Sequence, residues 1–241
     1  MAQPPLKGIR VIELARILAG PWAGQMLADL GADVIKVERI GGAYERHWSG
    51  AKAYLDDQSV FFLMAGRNQR SVEIDLSTPE GSDALWKLIK SADVLVENFR
   101  AGTLDRRGYS YEEVKKRNPR IVYCSLTGYG STGPAKSKPG QDLLIQSLSG
   151  LAMLTGRAED PPMPVGTAIV DQHAATLGAL GILAALLQRN ATGEGVKVDS
   201  NLLSAALNLQ LEPLNYHLNG AKLWDRSASG VGSRAETSGA G

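Results

Sequence analysis

The chain has 241 residues, of which 44% are hydrophobic and 21% charged, proportions typical of an ordinary globular protein with one large domain or a domain and a half. Its formal net charge of +1 excludes an overall basic field for nucleic acid or anionic membrane, so any anion site must come from a local cluster of cations. A single cysteine, Cys124, excludes an intrachain disulfide and is typical of a reducing compartment.

The N-terminal segment lacks a basic stretch followed by an apolar core, which is the pattern of a signal peptide. The longest apolar run, residues 174–187, is interrupted by Thr and Gly and is too short to span a bilayer. These features predict a cytoplasmic protein without a nucleic-acid or membrane partner.

The first part of the chain alternates short apolar runs with helical patterns. Strands are predicted at 8–14, 33–39, 70–76, 93–99 and 120–126, with helices at 22–32, 79–92 and 111–119 and a Gly/Pro turn at 19–21. Because the strands are apolar rather than alternating, they predict a parallel sheet that is covered on both faces. This is the doubly wound, Rossmann-like α/β class, in which ligands bind beyond the carboxyl ends of the strands.

The second part of the chain is largely helical. Helices are predicted at 142–156, 172–190 and 200–220, with a short strand at 196–200. Residues 1–222 are therefore assigned to one domain with long helices at its end. The Ser/Gly/Ala-rich residues 223–241 are assigned to a tail that is disordered or begins a further domain.

Several common catalytic motifs are missing from the sequence. The first βα turn, ARILAGPWAG, lacks the G-x-G-x-x-G pattern, which counts against an NAD-type oxidoreductase. The sequence has no G-x-S-x-G and no P-loop, H-E-x-x-H or C-x-x-C pattern, and its three histidines are widely scattered. No metal site is expected.

Cations recur at the ends of the predicted strands. The set comprises Arg39, Arg100, Arg106, Arg107, Lys136 and Lys138. Because such loops converge on one edge of a doubly wound sheet, these cations are suited to a polyphosphate, with Phe99 nearby for a base. Solvated surface charge is the alternative interpretation.

Asp171 is the single acid in the apolar run GTAIVDQHAATLG. Aspartate is a preferred helix N-cap and a long helix follows, so capping is one interpretation. The apolar flanks would also shield the carboxylate from water, which raises its pKa and its nucleophilicity and favours catalysis. The residues by themselves leave both interpretations open.

Six blocks of the sequence resemble the class III coenzyme A transferases, which include formyl-CoA transferase, carnitine CoA-transferase and succinyl-CoA–dicarboxylate transferases. The blocks, in order, are residues 5–39, 66–81, 92–108, 118–134, 139–156 and 165–189. α-Methylacyl-CoA racemase belongs to the same fold family.

The resemblance implies that Asp171 is the nucleophile and attacks an acyl-CoA thioester. The reaction then passes through an aspartyl anhydride and an enzyme–CoA thioester, with CoA as a substrate and no permanently bound cofactor. The N–H groups of the helix that starts at Asp171 are candidates for stabilising the oxyanions. The implied CoA contacts are Arg39, Asn98, Phe99, Arg100, Arg106 and Lys138.

The resemblance also separates two branches of the fold family. The racemase branch requires a histidine where this chain has Gln141, and glutamine cannot act as a general base, so the transferase is favoured. The neighbouring Asp142 is either a helix N-cap or a supporting residue of the active site.

Members of the family continue well past this length and form interlocked homodimers. The resemblance therefore implies an incomplete large domain. The alternative to an active transferase is a non-catalytic CoA-binding fragment or one subunit of a split enzyme.

Overall fold

The computed structural model describes residues 3–156 and 160–220, and its centre is a six-stranded parallel sheet. The sheet consists of β1 (Arg10–Leu14), β2 (Asp33–Glu38), β5 (Arg70–Glu73), β6 (Val94–Glu97), β7 (Val122–Thr127) and β8 (Lys197–Asn201). Two further strands, β3 (Tyr54–Leu55) and β4 (Gln58–Ser59), pair with each other as an antiparallel hairpin. The predicted parallel sheet is confirmed.

The strand order of the sheet is β5-β2-β1-β6-β7-β8. The chain therefore places β2 and β5 on one side of β1 and then β6, β7 and β8 on its other side, so the strand order reverses between β1 and β6. Register at this boundary pairs Ile12 with Leu95 and Leu14 with Glu97. Ligands of doubly wound sheets bind outside the carboxyl ends of the strands at such a reversal. The loops after β1 and β6 are therefore expected to form the walls of a binding site.

Helices cover both faces of the sheet. They are α1 (Ala19–Asp29), α2 (Val60–Ala65), α3 (Pro79–Lys90), α4 (Thr103–Arg106), α5 (Tyr111–Arg117), α6 (Asp142–Leu148), α7 (Ile169–Thr192), α8 (Leu202–Leu209) and α9 (Leu211–Leu218). Successive side chains of a strand point to opposite faces. Val11 and Val94 pack with α1, α7 and α8, whereas Ile12 and Leu95 pack with α3 and α5.

Helix α1 begins earlier than the sequence pattern predicts. The segment 19–21, expected to be a turn, forms the first turn of the helix, where the missing N–H of Pro21 costs no hydrogen bond. A Cβ atom at Gly20 would lie 2.2 Å from the Cβ of Ala15. Glycine therefore lets the start of α1 approach the end of β1 closely.

Helix α7 also begins earlier than predicted, at Ile169 rather than at residue 172. Its N-cap residue is Ala168, which makes no side-chain cap, and Asp171 is the third helical residue. The prediction that Asp171 caps this helix is therefore wrong. The helix has 24 residues and packs against β7, β8, α1 and α8.

Among the helices of the described ranges, α7 is the one long and apolar enough to cross a membrane by length and composition. The apolar run at 174–187 thus lies inside a longer helix than expected. Its packing against the sheet and two other helices accounts for its apolar composition.

The last helical segment is divided in two. Gln210 separates α8 from α9, and its side-chain Nε2 donates a hydrogen bond to the carbonyl oxygen of Ser149 at 2.9 Å. The predicted tail, residues 223–241, lies outside the described residues.

Candidate active site

Asp171 lies in the first turn of α7 and lines a cavity of about 480 Å³ at the carboxyl edge of the sheet. The loops after β1, β6 and β7 and the segment before α6 form the other walls of this space, the Asp171 cavity. Among the residues predicted from the sequence, it brings together Asn98, Phe99, Arg100, Lys136, Lys138, Gln141 and Asp171. The cavity thus lies where the strand order reverses.

The lining of the Asp171 cavity is strongly cationic. Its charged residues are Arg16, Arg100, Lys136, Lys138 and Asp171. Four cations and one carboxylate attract anions to a protein whose net charge is only +1. The cavity is therefore suited to an anionic substrate near the Asp171 carboxyl group.

Asp142 holds the start of α7 from a neighbouring helix. Its Oδ2 accepts hydrogen bonds from the N–H of Val170 at 2.7 Å and from the N–H of Asp171 at 2.9 Å, and its Oδ1 accepts from Gln146 Nε2 at 2.6 Å. Its own helix, α6, has Gln141 at the N-cap without a side-chain cap. Asp142 therefore caps α7 rather than α6, which corrects the N-cap interpretation of this residue.

The N–H groups at the start of α7 are already engaged. Those of residues 169–172 donate to the carbonyl oxygen of Thr167, to the Asp142 carboxylate twice, and to the carbonyl oxygen of Ala168. The hypothesis that these groups stabilise the oxyanions is therefore wrong.

The carboxyl group of Asp171 is a weaker acid than an ordinary aspartate. Burial, and secondly the negative charge of Asp142, raise the pKa of Asp171 to about 7. Within the described part of the chain, no hydrogen-bond donor contacts this carboxylate. A desolvated carboxylate of raised basicity is a stronger nucleophile than one in water, so its environment favours covalent chemistry.

A second, larger cavity of about 590 Å³, the Arg39 cavity, adjoins the first. The cations on its wall are Arg16, Arg39 and Arg107. Arg16 and Phe99 line both cavities, and the guanidinium carbon of Arg16 lies 5.7 Å from the centre of the Phe99 ring. A long anionic ligand can therefore occupy both spaces by passing this pair.

The structure places Arg106 away from both cavities. Its Nη2 lies 3.4 Å from Thr103 Oγ1, and the neighbouring Arg107 lines the Arg39 cavity instead. The sequence grouped Arg107 with the strand-end cations but did not assign it to the site. Where two arginines are adjacent, the sequence pattern does not indicate which of the two side chains points into a cavity.

Asn98 acts on the protein backbone. Its Nδ2 donates to the carbonyl oxygen of Arg16 at 2.7 Å, and its Oδ1 accepts from the N–H of Arg16 at 2.8 Å. The two bonds tie the loop after β6 to the loop after β1. A direct contact of Asn98 with CoA stays a prediction.

Glu97, which was not predicted from the sequence, fixes the start of the loop after β6, the loop that contains Asn98 and Phe99. Its carboxylate accepts a hydrogen bond from the N–H of Phe99 at 2.9 Å and another from the hydroxyl group of Ser125. Burial raises the pKa of Glu97 to about 7. Its position at the end of a buried strand is the feature of the sequence that could have indicated this role.

A model of the family described as CoA-transferase family III matches residues 6–237. The chain is 42% identical to a succinate–glutarate CoA-transferase of Agrobacterium fabrum over 224 residues, covering 90% of this chain and 56% of that protein. It is 40% identical to a succinyl-CoA:mesaconate CoA-transferase of Haloarcula hispanica over 210 residues, covering 85% of this chain and 53% of that protein. The chain therefore spans about half the length of the curated relatives it matches.

A similar architecture is present in the crystal structure of a CAIB/BAIF family protein from Brucella suis. The two superpose with a TM-score of 0.88 at 39% sequence identity, covering 93% of this chain and 60% of that chain. The arrangement of the parallel sheet and its helices is thus shared over nearly all of this chain.

Proposed function

Because the chain belongs to CoA-transferase family III, we propose that it carries the nucleophile and much of the CoA-binding surface of an enzyme that moves CoA from an acyl-CoA thioester to a carboxylic acid. The observation that carries this proposal is the placement of Asp171. Its carboxyl group lies in a cationic cavity, lacks a hydrogen-bond donor among the described residues, and has a pKa raised to about 7.

In the proposed reaction, a carboxylate oxygen of Asp171 attacks the thioester carbon of the acyl-CoA. The C–S bond breaks, which leaves an acyl-aspartyl anhydride and the CoA thiolate. The thiolate attacks the Asp171 carbonyl carbon and expels the first acid as its carboxylate, which gives an enzyme–CoA thioester. The acceptor carboxylate then repeats the sequence in reverse, so the new acyl-CoA leaves and the Asp171 carboxylate is restored.

The two cavities divide the binding of CoA between them in this proposal. The phosphates lie in the Arg39 cavity against Arg39, Arg107 and Arg16, because guanidinium groups bind phosphate through paired hydrogen bonds. The pantetheine arm passes Phe99 and brings the sulfur to Asp171.

The remaining cations of the Asp171 cavity are suited to the acid substrates. Arg100, Lys136 and Lys138 line this cavity and are free of ion pairs within the described ranges. The two relatives named above are called transferases of succinate, glutarate or mesaconate. We propose that this chain also acts on a dicarboxylic acid, with one carboxylate at Asp171 and the other at these cations.

The racemase alternative has less support. Gln141, the residue at the position where that branch has its histidine, lines the cavity beside Asp171, and its amide is neither a general acid nor a general base near neutral pH. A CoA-binding fragment without transfer activity is the stronger alternative, since the chain spans about half of its relatives.

We also propose a cytoplasmic homodimer. Support for an interface comes from the large exposed apolar side chains of α6 and α9, namely Leu143, Leu144, Leu148, Leu211 and Leu218. Light scattering of the purified chain measures this assembly, and a monomer at all concentrations contradicts it.

Covalent trapping tests the proposed chemistry. The chain is incubated with succinyl-CoA, treated with hydroxylamine, and digested, and mass spectrometry locates the resulting hydroxamate. We expect the label at Asp171 and none in Asp171→Asn, which keeps the side-chain shape but is not a nucleophile. Binding of CoA without any label identifies the non-catalytic alternative.

A further inference from the structure

Three consecutive residues of the loop after β1, residues 15–17, are held by side chains from three other parts of the fold. Lys36 Nζ of β2 donates to the carbonyl oxygen of Ala15 at 2.8 Å, and Asn98 holds both backbone groups of residue 16. Glu45 Oε1 accepts a hydrogen bond from the N–H of Ile17 at 3.1 Å. This loop separates the Asp171 cavity from the Arg39 cavity.

The backbone of Ile17 is strained. Its φ of +63° lies in the left-handed region, where a β-branched side chain clashes with its own backbone. The other described non-glycine residues with positive φ are Lys52, Asp56, Asp57 and Asn68. Ile17 differs from them because it is β-branched, and its exposed side chain lines the Asp171 cavity. Such strain persists only where the surrounding structure imposes it.

The group that accepts the hydrogen bond from the N–H of Ile17 is a buried carboxylate. Glu45 is 2% exposed, and its Oε1 lies 3.8 Å from Lys36 Nζ, which contacts Glu13 Oε1 at 2.6 Å. Its other oxygen, Oε2, has no hydrogen-bond partner among the described residues. Two carboxylates and one ammonium group are costly to bury in the interior. The presence of this cluster is therefore better explained by its fixing one conformation of the loop than by a gain in folding stability.

We propose that Glu45 is a positioning residue that holds Ile17 in its left-handed conformation, so that residues 16–18 form the wall against which the thioester is aligned with Asp171. The alignment of a thioester rests on the proposed function, whereas the conformation of the loop does not. Without the Glu45 acceptor, Ile17 relaxes to a negative φ and the wall shifts.

Substitution of Glu45 tests the role of its hydrogen bond. Because displacement of a reacting group by about 1 Å costs up to about 100-fold in rate, we expect Glu45→Ala to slow labelling of Asp171 by about 10- to 100-fold. Glu45→Gln keeps an acceptor oxygen for the N–H of Ile17 and should retain a rate nearer to wild type. Asn98 still holds both backbone groups of Arg16 in either variant, so affinity for CoA, measured by calorimetry, should fall by a smaller factor than the labelling rate. Equal losses of rate in both variants would show that the charge alone matters and would overturn the proposal.

A double-mutant cycle separates positioning from a general loss of stability. Glycine adopts the left-handed conformation without strain, so Glu45→Ala should slow labelling far less in an Ile17→Gly background. Lys52→Gly is the matched control, because Lys52 has a φ of +53° and lines neither cavity. The effect of Glu45→Ala should be unchanged in that background. The same loss in all three backgrounds would contradict the proposal.

Hydrogen exchange gives a readout that does not depend on catalysis. Glu45→Ala should speed exchange of the Ile17 amide, while exchange in β1 and α1 stays slow. If wild type labels Asp171 and Glu45→Ala labels it equally fast, the positioning role fails and the proposed function stands. If wild type gives no label, the proposed function fails, and unchanged exchange at Ile17 in Glu45→Ala would then also reject the positioning role.

Discussion

Asp142 of α6 caps the helix that carries Asp171, accepting the N–H of Asp171 at 2.9 Å and that of Val170 at 2.7 Å. One carboxylate therefore both fixes the helix start and raises the pKa of the other. A negative charge at a helix N-terminus is favourable, and here that charge is Asp142, which does not line the Asp171 cavity. The geometry stabilises the helix and keeps the Asp171 carboxyl group basic.

Removal of the Asp142 charge should lower the pKa of Asp171. In Asp142→Asn the repulsion between the two carboxylates is lost, but burial, the larger cause of the shift, remains. We therefore expect the pKa to fall below about 7 and to stay above the ordinary 3.8. The pH dependence of Asp171 labelling by succinyl-CoA measures it. Asp83→Asn, an exposed change on α3, is the control and should leave the profile in place.

Loss of the cap itself should destabilise the protein. Asp142→Ala leaves two N–H groups of α7 without their acceptor, which costs about 1–3 kcal/mol in free energy of unfolding. Urea denaturation measures the difference. A change near zero would mean that water or a neighbouring group replaces the carboxylate.

The rate of Asp171 labelling should rise with pH through about 7, since only the deprotonated carboxylate is a nucleophile. The same shift affects stability. Because the folded-state pKa of Asp171 is above its unfolded value, its contribution is present at low pH and is lost as pH rises from about 4 to about 7. Asp171→Asn should flatten this part of the melting-temperature profile. Glu97, whose pKa is also about 7, contributes a similar slope that Glu97→Gln removes.

The two adjacent arginines at the end of α4 should differ in their effect on CoA binding. Arg107→Ala removes a cation from the Arg39 cavity and should weaken CoA binding about tenfold or more, the effect of one charge-assisted hydrogen bond. Arg106→Ala should leave the dissociation constant nearly unchanged. Calorimetric titration with CoA compares them, and the opposite order would restore Arg106 to the position that family resemblance gives it.

Helix α7 should tolerate alanine unequally at its two sheet-facing glycines. A Cβ atom at Gly181 would lie 2.7 Å from Val198 Cγ1, a stiff side chain of β8, whereas one at Gly178 would meet Leu126 Cδ2 at 3.2 Å. We expect Gly181→Ala to cost about 1–3 kcal/mol in free energy of unfolding through overpacking. Gly178→Ala should cost less, because the Leu126 terminus can move and alanine favours the helix. Thermal unfolding of both variants tests the difference.

The sequence predicted the sheet well, because its four central strands are buried, largely apolar runs that end in recognisable loops. It missed the start of α7 because the cap comes from Asp142, 29 residues before Asp171. Nothing in a local pattern indicates such a partner. The roles of Glu45 and Lys36 were also missed, since neither residue stands out until the fold places it under the loop after β1.

Asp171 was predicted from its apolar surroundings, and several residues that line the cavities were predicted from their position at strand ends, in both cases together with resemblance to a family. The sequence could not tell which cations turn inward. Arg16 was overlooked because the turn that contains it lacks the glycine pattern of a dinucleotide site, yet it lines both cavities.

The reversal of strand order gives the chain a natural line of division. Two of the side chains that hold the loop after β1, Lys36 and Glu45, precede β6 in the chain. Asn98, Asp142 and Asp171 follow β6. A cut in the exposed end of α3 would therefore yield two pieces, each with half of the candidate site. They meet through the pairing of β1 with β6, from Val11↔Val94 to Leu14↔Glu97, and through the packing of α1 on α7. Recovery of Asp171 labelling on mixing such pieces would then measure how strongly the two halves of the sheet and its helices associate.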